Sequence, residues 1–282
     1  MTEESRMALA LREALNLPPQ LDLETLARDL RLSILEVNSE SFDGALLRSR
    51  TGPSGRILVR QDMRETGRKR FTIAHEIGHF VLHRQQRVSC SSAEIANWKD
   101  DQTDPERQAD GFASELLLPS AEVKKQIGGQ WPGFQVVQQI AAYFDVSLTA
   151  AARRYCDVAP QSCAVVWTVE SKIRWMHRSP SFVHWVKVGQ EAGEGSFAAR
   201  ALAGQPVPDD MQEVAAGEWV SSYWLRDDAV IWEQAVAMPN YKGCLSLLWV
   251  RREIENRPTE QDELLRELDP EDFTMRRKRW PR

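Results

Sequence analysis

The chain has 282 residues, enough for about two domains, and 42% of them are hydrophobic, which suffices for packed cores. Its formal net charge of −5 argues against a general affinity for nucleic acid, and no apolar stretch is long enough to span a bilayer. The start, Met1-Thr2-Glu3-Glu4-Ser5-Arg6, has no basic region leading into an apolar run, and Cys90, Cys156, Cys163 and Cys244 show no paired short spacing. The expected setting is therefore a reducing cytoplasm, without membrane contact.

Residues 5–17 form a predicted amphipathic helix, and Pro18-Pro19 separates it from a second at 22–30. Short strands are predicted at 33–37, 44–49 and 56–60, with Thr51-Gly52-Pro53-Ser54-Gly55 between the last two.

The next segment, Arg70-Phe71-Thr72-Ile73-Ala74-His75-Glu76-Ile77-Gly78-His79-Phe80-Val81-Leu82-His83, sets a His-Glu-x-x-His pentad in a helical apolar pattern. Phe71, Ile73, Ala74, Ile77, Phe80 and Val81 face a core and leave His75, Glu76 and His79 toward a cleft. Histidines four residues apart stack on one face, roughly 6 Å apart at about 1.5 Å rise per residue, so both can reach one ion. Glu76 lies beside that ion, where it can deprotonate a water. Two solvated histidines are the bland alternative, weakened by the correctly spaced apolar flanks and by a total of only five histidines. Gly78 costs helix stability and points to close approach by another backbone. The strand at 56–60 is expected to hold a substrate segment extended across the metal.

A catalytic zinc takes three protein ligands and keeps a fourth position open. His83 shares the histidine face but lies about 12 Å from His75 on a continuous helix, so it is expected near the ligands and not among them. Residues 103–119 offer another helix, with Asp104 as N-cap, Pro105 in the first turn and Pro119 as the stop. Ala109, Phe112, Ala113, Leu116 and Leu117 make its buried stripe, with Glu106 and Asp110 one turn apart at the edge. Glu106 can serve as ligand and Asp110 can orient an imidazole. From spacing alone, a Glu106 that merely favours the helix N-terminus and a solvated Asp110 explain the pattern as well.

Further helices are predicted at 120–127, 134–144 and 147–156. The last two resemble a helix-turn-helix across Asp145-Val146-Ser147, but the second offers only Arg153 and Arg154 to phosphate and reads as completing a core. Beyond Pro160 come Trp167, Trp175, Trp185, Trp219, Trp224, Trp232 and Trp249. Residues 164–169 and 172–177 form a predicted hairpin across Glu170-Ser171, 182–188 a third strand, 196–202 a helix, and 230–238 with 244–251 a second hairpin. The alternating aromatics read as core, and His177 and His184 as structural.

The run Leu21-Asp22-Leu23-Glu24-Thr25-Leu26-Ala27, then Gly44-Ala45-Leu46, the pentad segment, and Glu106-Arg107-Gln108-Ala109-Asp110-Gly111-Phe112-Ala113-Ser114-Glu115-Leu116-Leu117-Leu118-Pro119 together resemble the ImmA/IrrE family of zinc metallopeptidases, over about residues 20–157. The resemblance implies an α+β chain with a zincin-like metallopeptidase domain at 1–158, built on a small sheet and a helical subdomain at 120–157. A tryptophan-rich α+β domain at 160–252 follows, and a charged flexible tail at 253–282. It implies His75, His79 and Glu106 as ligands to Zn2+, with Mn2+ as the alternative ion, Glu76 as general base, and Asp110 supporting a ligand imidazole. Tyr143, Tyr155 or a residue of the second domain would stabilise the oxyanion.

By the same resemblance the substrate is a helix-turn-helix repressor, whose cleavage derepresses a mobile element, toxin-antitoxin or stress-response operon. Some members carry a sensor-like C-terminal module similar to GAF domains, so residues 160–252 are expected to bind an unknown ligand or dock the substrate. Two other readings stay open. One is a non-catalytic, zinc-containing anti-repressor that binds the repressor; the other is a DNA-binding regulator. The acidic charge and the lack of a helix-turn-helix before Leu21 count against the second.

Overall fold

A computed structural model describes residues 1–63, 65–83, 89–90, 104–186, 188–222, 225–251 and 254, with the backbone alone at 89–90. Among these residues the chain is mixed α and β, with eight α-helices and two sheets. Helix α1 (Glu3–Ala14) is followed by α2 (Leu23–Asp29), which begins where the Asp22 carboxylate accepts the backbone N–H groups of Glu24 and Thr25 at 3.0 and 3.1 Å. Strands β1 (Leu32–Val37), β2 (Gly44–Arg48), β3 (Gly55–Arg60) and the two-residue β4 (Ser89–Cys90) form a four-stranded sheet in the order β1-β3-β2-β4.

Strand β3 is parallel to β1 and antiparallel to β2, so both of its edges are spent on its neighbours. The expected substrate-holding edge at 56–60 is thus the interior of the sheet. Ile57 and Val59 alternate with less buried neighbours along β3 and join Leu32 of β1 in one core, which explains why this short strand is drawn to the centre.

Helix α3 (Thr66–Leu82) and helix α4 (Pro105–Leu117) close that core, with Ile73, Ala74 and Ile77 meeting Phe112, Ala113 and Leu116 against Ile57 and Val59. Arg12 of α1 donates to the carbonyls of Leu116 and Pro18, at 2.6 and 2.7 Å, and so caps the far end of α4.

Helices α5 (Ser120–Ile127), α6 (Phe134–Phe144) and α7 (Leu148–Val158) lead into a five-stranded antiparallel sheet. Its strands are β5 (Cys163–Val169), β6 (Lys172–Arg178), β7 (Gln212–Ala215), β8 (Val230–Met238) and β9 (Gly243–Trp249), in the order β6-β5-β9-β8-β7. Glu170 and Ser171 both adopt positive φ, the mirror-image turn that suits a tight hairpin. Val165, Leu245 and Leu247 pack one sheet face against Phe134, Val137, Ile140 and Tyr155 of α6 and α7. Ala164, Val166 and Leu248 pack the other against Phe182, Trp219 and Phe197, which opens helix α8 (Phe197–Leu202). Burial on both faces is why β5 and β9 read as continuous apolar runs. It also means that the helices at 120–158 share a core with the tryptophan-rich sheet, across the expected boundary at Pro160.

The described residues within 182–188 alternate as a strand does, with Phe182, His184 and Val186 buried, yet among them no ladder forms. The edge of β6 is taken instead by the next segment, where Ile173 and Gly189 exchange bonds with Gln190 and Ile173 at 2.8 Å. In the pair resembling a helix-turn-helix, both arginines of α7 turn inward. Arg153 stacks over Trp175 at 5.5 Å, and Arg154 donates to Ser114 and Ser120 at 2.7 and 3.2 Å. Trp224 and, save Ile254, the tail at 253–282 lie outside the described residues.

Candidate metal centre

The site is made where α3 and α4 cross. Asp104 accepts the Glu106 N–H at 3.1 Å and Pro105 occupies the first turn, so α4 starts with Glu106 aimed at its neighbour. Closeness of the two helices depends on Gly78. A Cβ there would stand 3.1 Å from the Ala109 carbonyl oxygen and 3.2 Å from Ala109 Cα and Phe112 Cδ1. On the sheet side, a Cβ at Gly44 of β2 would come within 2.7 Å of Glu76 Oε1 and 2.5 Å of Thr72 Cγ2, so this glycine admits the Glu76 side chain to its buried position.

His75, His79 and Glu106 come together with their ligand atoms all within 4.8 Å of one another. His75 Nε2 lies 3.0 Å from His79 Nε2 and 3.2 Å from Glu106 Oε2, and His79 Nε2 lies 3.3 Å from Glu106 Oε1. Asp110 Oδ1 is 2.8 Å from His75 Nδ1 and takes that nitrogen's proton in a hydrogen bond. In neutral His75 this leaves a lone pair on Nε2, directed at a second imidazole and at a carboxylate. Three acceptor atoms facing one point repel unless a cation stands among them, so the donor set fits a divalent metal of nitrogen and oxygen preference.

The electrostatics of the metal-free site show the same demand. Burial disfavours the imidazolium of His75, but hydrogen bonds to Asp110 and Glu106, with their charges, raise its pKa to about 9. His79 moves the opposite way, lowered by burial against the pull of Glu106. Burial tends to raise Glu106, yet its bonds to both histidines carry it well below the ordinary carboxylate range. A carboxylate so strongly held ionised is a ready ligand.

Helix α3 ends at the site. His83 is its C-cap, with φ −112° and ψ 65°, and Arg48 donates to the His79 and His83 carbonyls at 2.5 and 2.9 Å while lying over the Phe80 ring. His83 is placed beside His79 and not on the ligand point, its Nδ1 3.0 Å from His79 Nδ1 and its Nε2 2.8 Å from Gln108 Oε1. Arg48 and Gln108 were not singled out from the sequence. The regular spacing of His75, His79 and His83 was the available signal that something must receive the outer nitrogen of the second histidine.

A cleft of about 760 Å³ reaches the centre at Glu106 and Asp110 and is lined as well by Phe71, by Trp167 and Trp175 of the second sheet, and by Tyr241 in the turn between β8 and β9. Of the tyrosines considered as oxyanion donors, Tyr155 is fully buried among the helices and Tyr143 is exposed, and neither lines this cleft. Among the described residues, no helix is long and apolar enough to cross a membrane.

Comparison with known proteins agrees with this geometry. Residues 27–155 match the IrrE N-terminal-like domain of Peptidase M78. Among solved structures, a Mycobacterium tuberculosis transcriptional regulator is similar in fold, with a TM-score of 0.54 and 12% identity over 88% of this chain and 76% of that one. No curated protein matches in sequence. Residues 27–155, which contain both helices of the candidate centre, thus form an IrrE N-terminal-like domain of the ImmA/IrrE family.

Proposed function

We propose that the chain is a zinc-dependent endopeptidase acting on a helix-turn-helix repressor. The observation that carries this reading is the convergence of His75, His79 and Glu106 beside the buried carboxylate of Glu76. Those three side chains would hold zinc, with manganese as the second candidate ion for the same donors, and the bound ion would supply Lewis acidity and a water pKa lowered toward about 7. Asp110 keeps the His75 proton on Nδ1, away from the ligand nitrogen. Glu76 accepts a proton from the attacking water on a carboxylate oxygen and returns it to the leaving amine nitrogen.

The cleft supports a protein substrate, because its lining joins Glu106 and Asp110 of the centre with Trp167 and Trp175 of a different sheet. That gives residues 160–252 the role of docking the repressor, and remote binding there would supply the selectivity that main-chain contacts at the metal lack. The repressor itself rests on the family resemblance.

The test is to incubate the purified protein with the helix-turn-helix protein encoded beside its gene, with zinc or with a chelator, and to map products by mass spectrometry. Metal-dependent cleavage at one or a few bonds is expected. A repressor bound but left intact in zinc would replace this reading with the anti-repressor, and a protein that neither binds nor cuts it would overturn the substrate assignment.

A further inference from the structure

We infer that Gln108 is a positioning residue that, through His83, sets the proton of His79 so that its inner nitrogen is free to bind metal; this rests on the zinc reading above. Only Nε2 of His79 faces His75 and Glu106, so it is the atom that must present a lone pair. A neutral imidazole carries one N–H, which then sits on Nδ1 and points at His83 Nδ1, 3.0 Å away. That second nitrogen must accept, so the proton of His83 lies on Nε2 and is donated to Gln108 Oε1 at 2.8 Å.

The chain of bonds has a direction, and its far end decides it. Turning the Gln108 amide so that nitrogen meets His83 would reverse each donor in sequence and place a hydrogen on His79 Nε2, where a ligand lone pair is needed. The carbonyl oxygen of Gln108 thus does for His79, in two steps, what the Asp110 carboxylate does for His75 in one. A little more than one turn of α4 supplies a ligand at 106 and the two groups, at 108 and 110, that orient the ligand histidines. Arg48 donates to the backbone carbonyls of both His79 and His83.

The test is a mutant cycle read as zinc affinity by competition with a chromophoric chelator, with thermal unfolding of the metal-free protein as the control for packing. Gln108→Met keeps the volume but removes the acceptor, and His83→Leu removes the relay; each is expected to weaken zinc by about 10–100-fold with little change in metal-free unfolding. His83→Asn places a carbonyl oxygen near the position of Nδ1 and no longer depends on residue 108. It is expected to retain zinc within about threefold of wild type, and adding Gln108→Met to it is expected to cost nothing further.

Wild-type affinity in Gln108→Met, or the same loss in the His83→Asn background as in the wild type, would overturn the relay while leaving the zinc site intact. A wild-type protein that binds no zinc would instead overturn the peptidase reading, and the relay with it.

Discussion

A single methyl group at residue 78 tests whether the spacing of α3 and α4 sets the metal centre. Gly78→Ala gains roughly 1 kcal/mol of helix propensity. Against that, the new carbon would stand 3.1–3.2 Å from Ala109 O, Ala109 Cα and Phe112 Cδ1. Two of those three atoms are backbone, so relief requires a shift of α4 as a body, where a side-chain rotation would not suffice. Overpacking of this kind costs about 1–3 kcal/mol, so the net loss of stability is about 0–2 kcal/mol and the fold survives.

The centre is less forgiving. Ala109 lies between Glu106 and Asp110 on α4, and a displacement of the helix moves both carboxylates relative to the α3 histidines. Metal–ligand distances tolerate only about 0.2 Å, so zinc affinity is expected to fall by about tenfold or more. Metal-free thermal unfolding and chelator competition on the same preparation separate the two effects. A Gly78→Ala protein that is more stable than wild type and binds zinc equally well would refute the argument that this contact governs the site.

Other consequences follow from particular side chains. Glu106→Ala is expected to lose the ion, whereas Asp110→Asn, which can still accept from His75, is expected to keep one ion bound about 10–100-fold more weakly; metal analysis after dialysis decides it. Glu233 is fully buried and accepts the N–H groups of Phe197, Ala198 and Trp219 at 2.9 Å; burial raises its pKa despite those bonds. Its contribution to stability is therefore present below the unfolded value near 4.5 and lost as pH rises through the higher native one, so the urea-measured gap between wild type and Glu233→Gln narrows as pH rises above that unfolded value; a gap independent of pH contradicts this. A fragment ending at Val158 strips Val165, Leu245 and Leu247 from Phe134, Val137 and Ile140, so it is expected to aggregate; a monodisperse fragment by light scattering would contradict the shared core.

What could be read from the sequence was whatever local physics dictates. The pentad helix and α4 announce themselves through apolar periodicity, the Asp104 cap and Pro105, and those two helices carry the candidate ligands. Long-range pairing is different. Nothing in residues 55–60 says that β1 and β2 will flank them, and among the described residues of 182–188 the alternation is satisfied by core burial without a strand partner. Strand β7 is four residues with one buried side chain, too short to stand out. The division at Pro160 followed a change in local character, whereas the core follows the surfaces that α6, α7 and the second sheet bury together. Gln108 escaped notice because an uncharged side chain two residues from a ligand carries no signal until its partner's proton has been traced.

Whether this is a hydrolytic zinc centre with Glu76 as the base is decided by comparing wild type with Glu76→Gln for bound zinc and for repressor cleavage in one experiment. The amide nearly matches the carboxylate in volume but cannot take the proton of water. One zinc per chain is expected in both proteins, with cleavage reduced by at least about a hundredfold in the variant. Equal cleavage by the two proteins, each holding zinc, would contradict that role for Glu76.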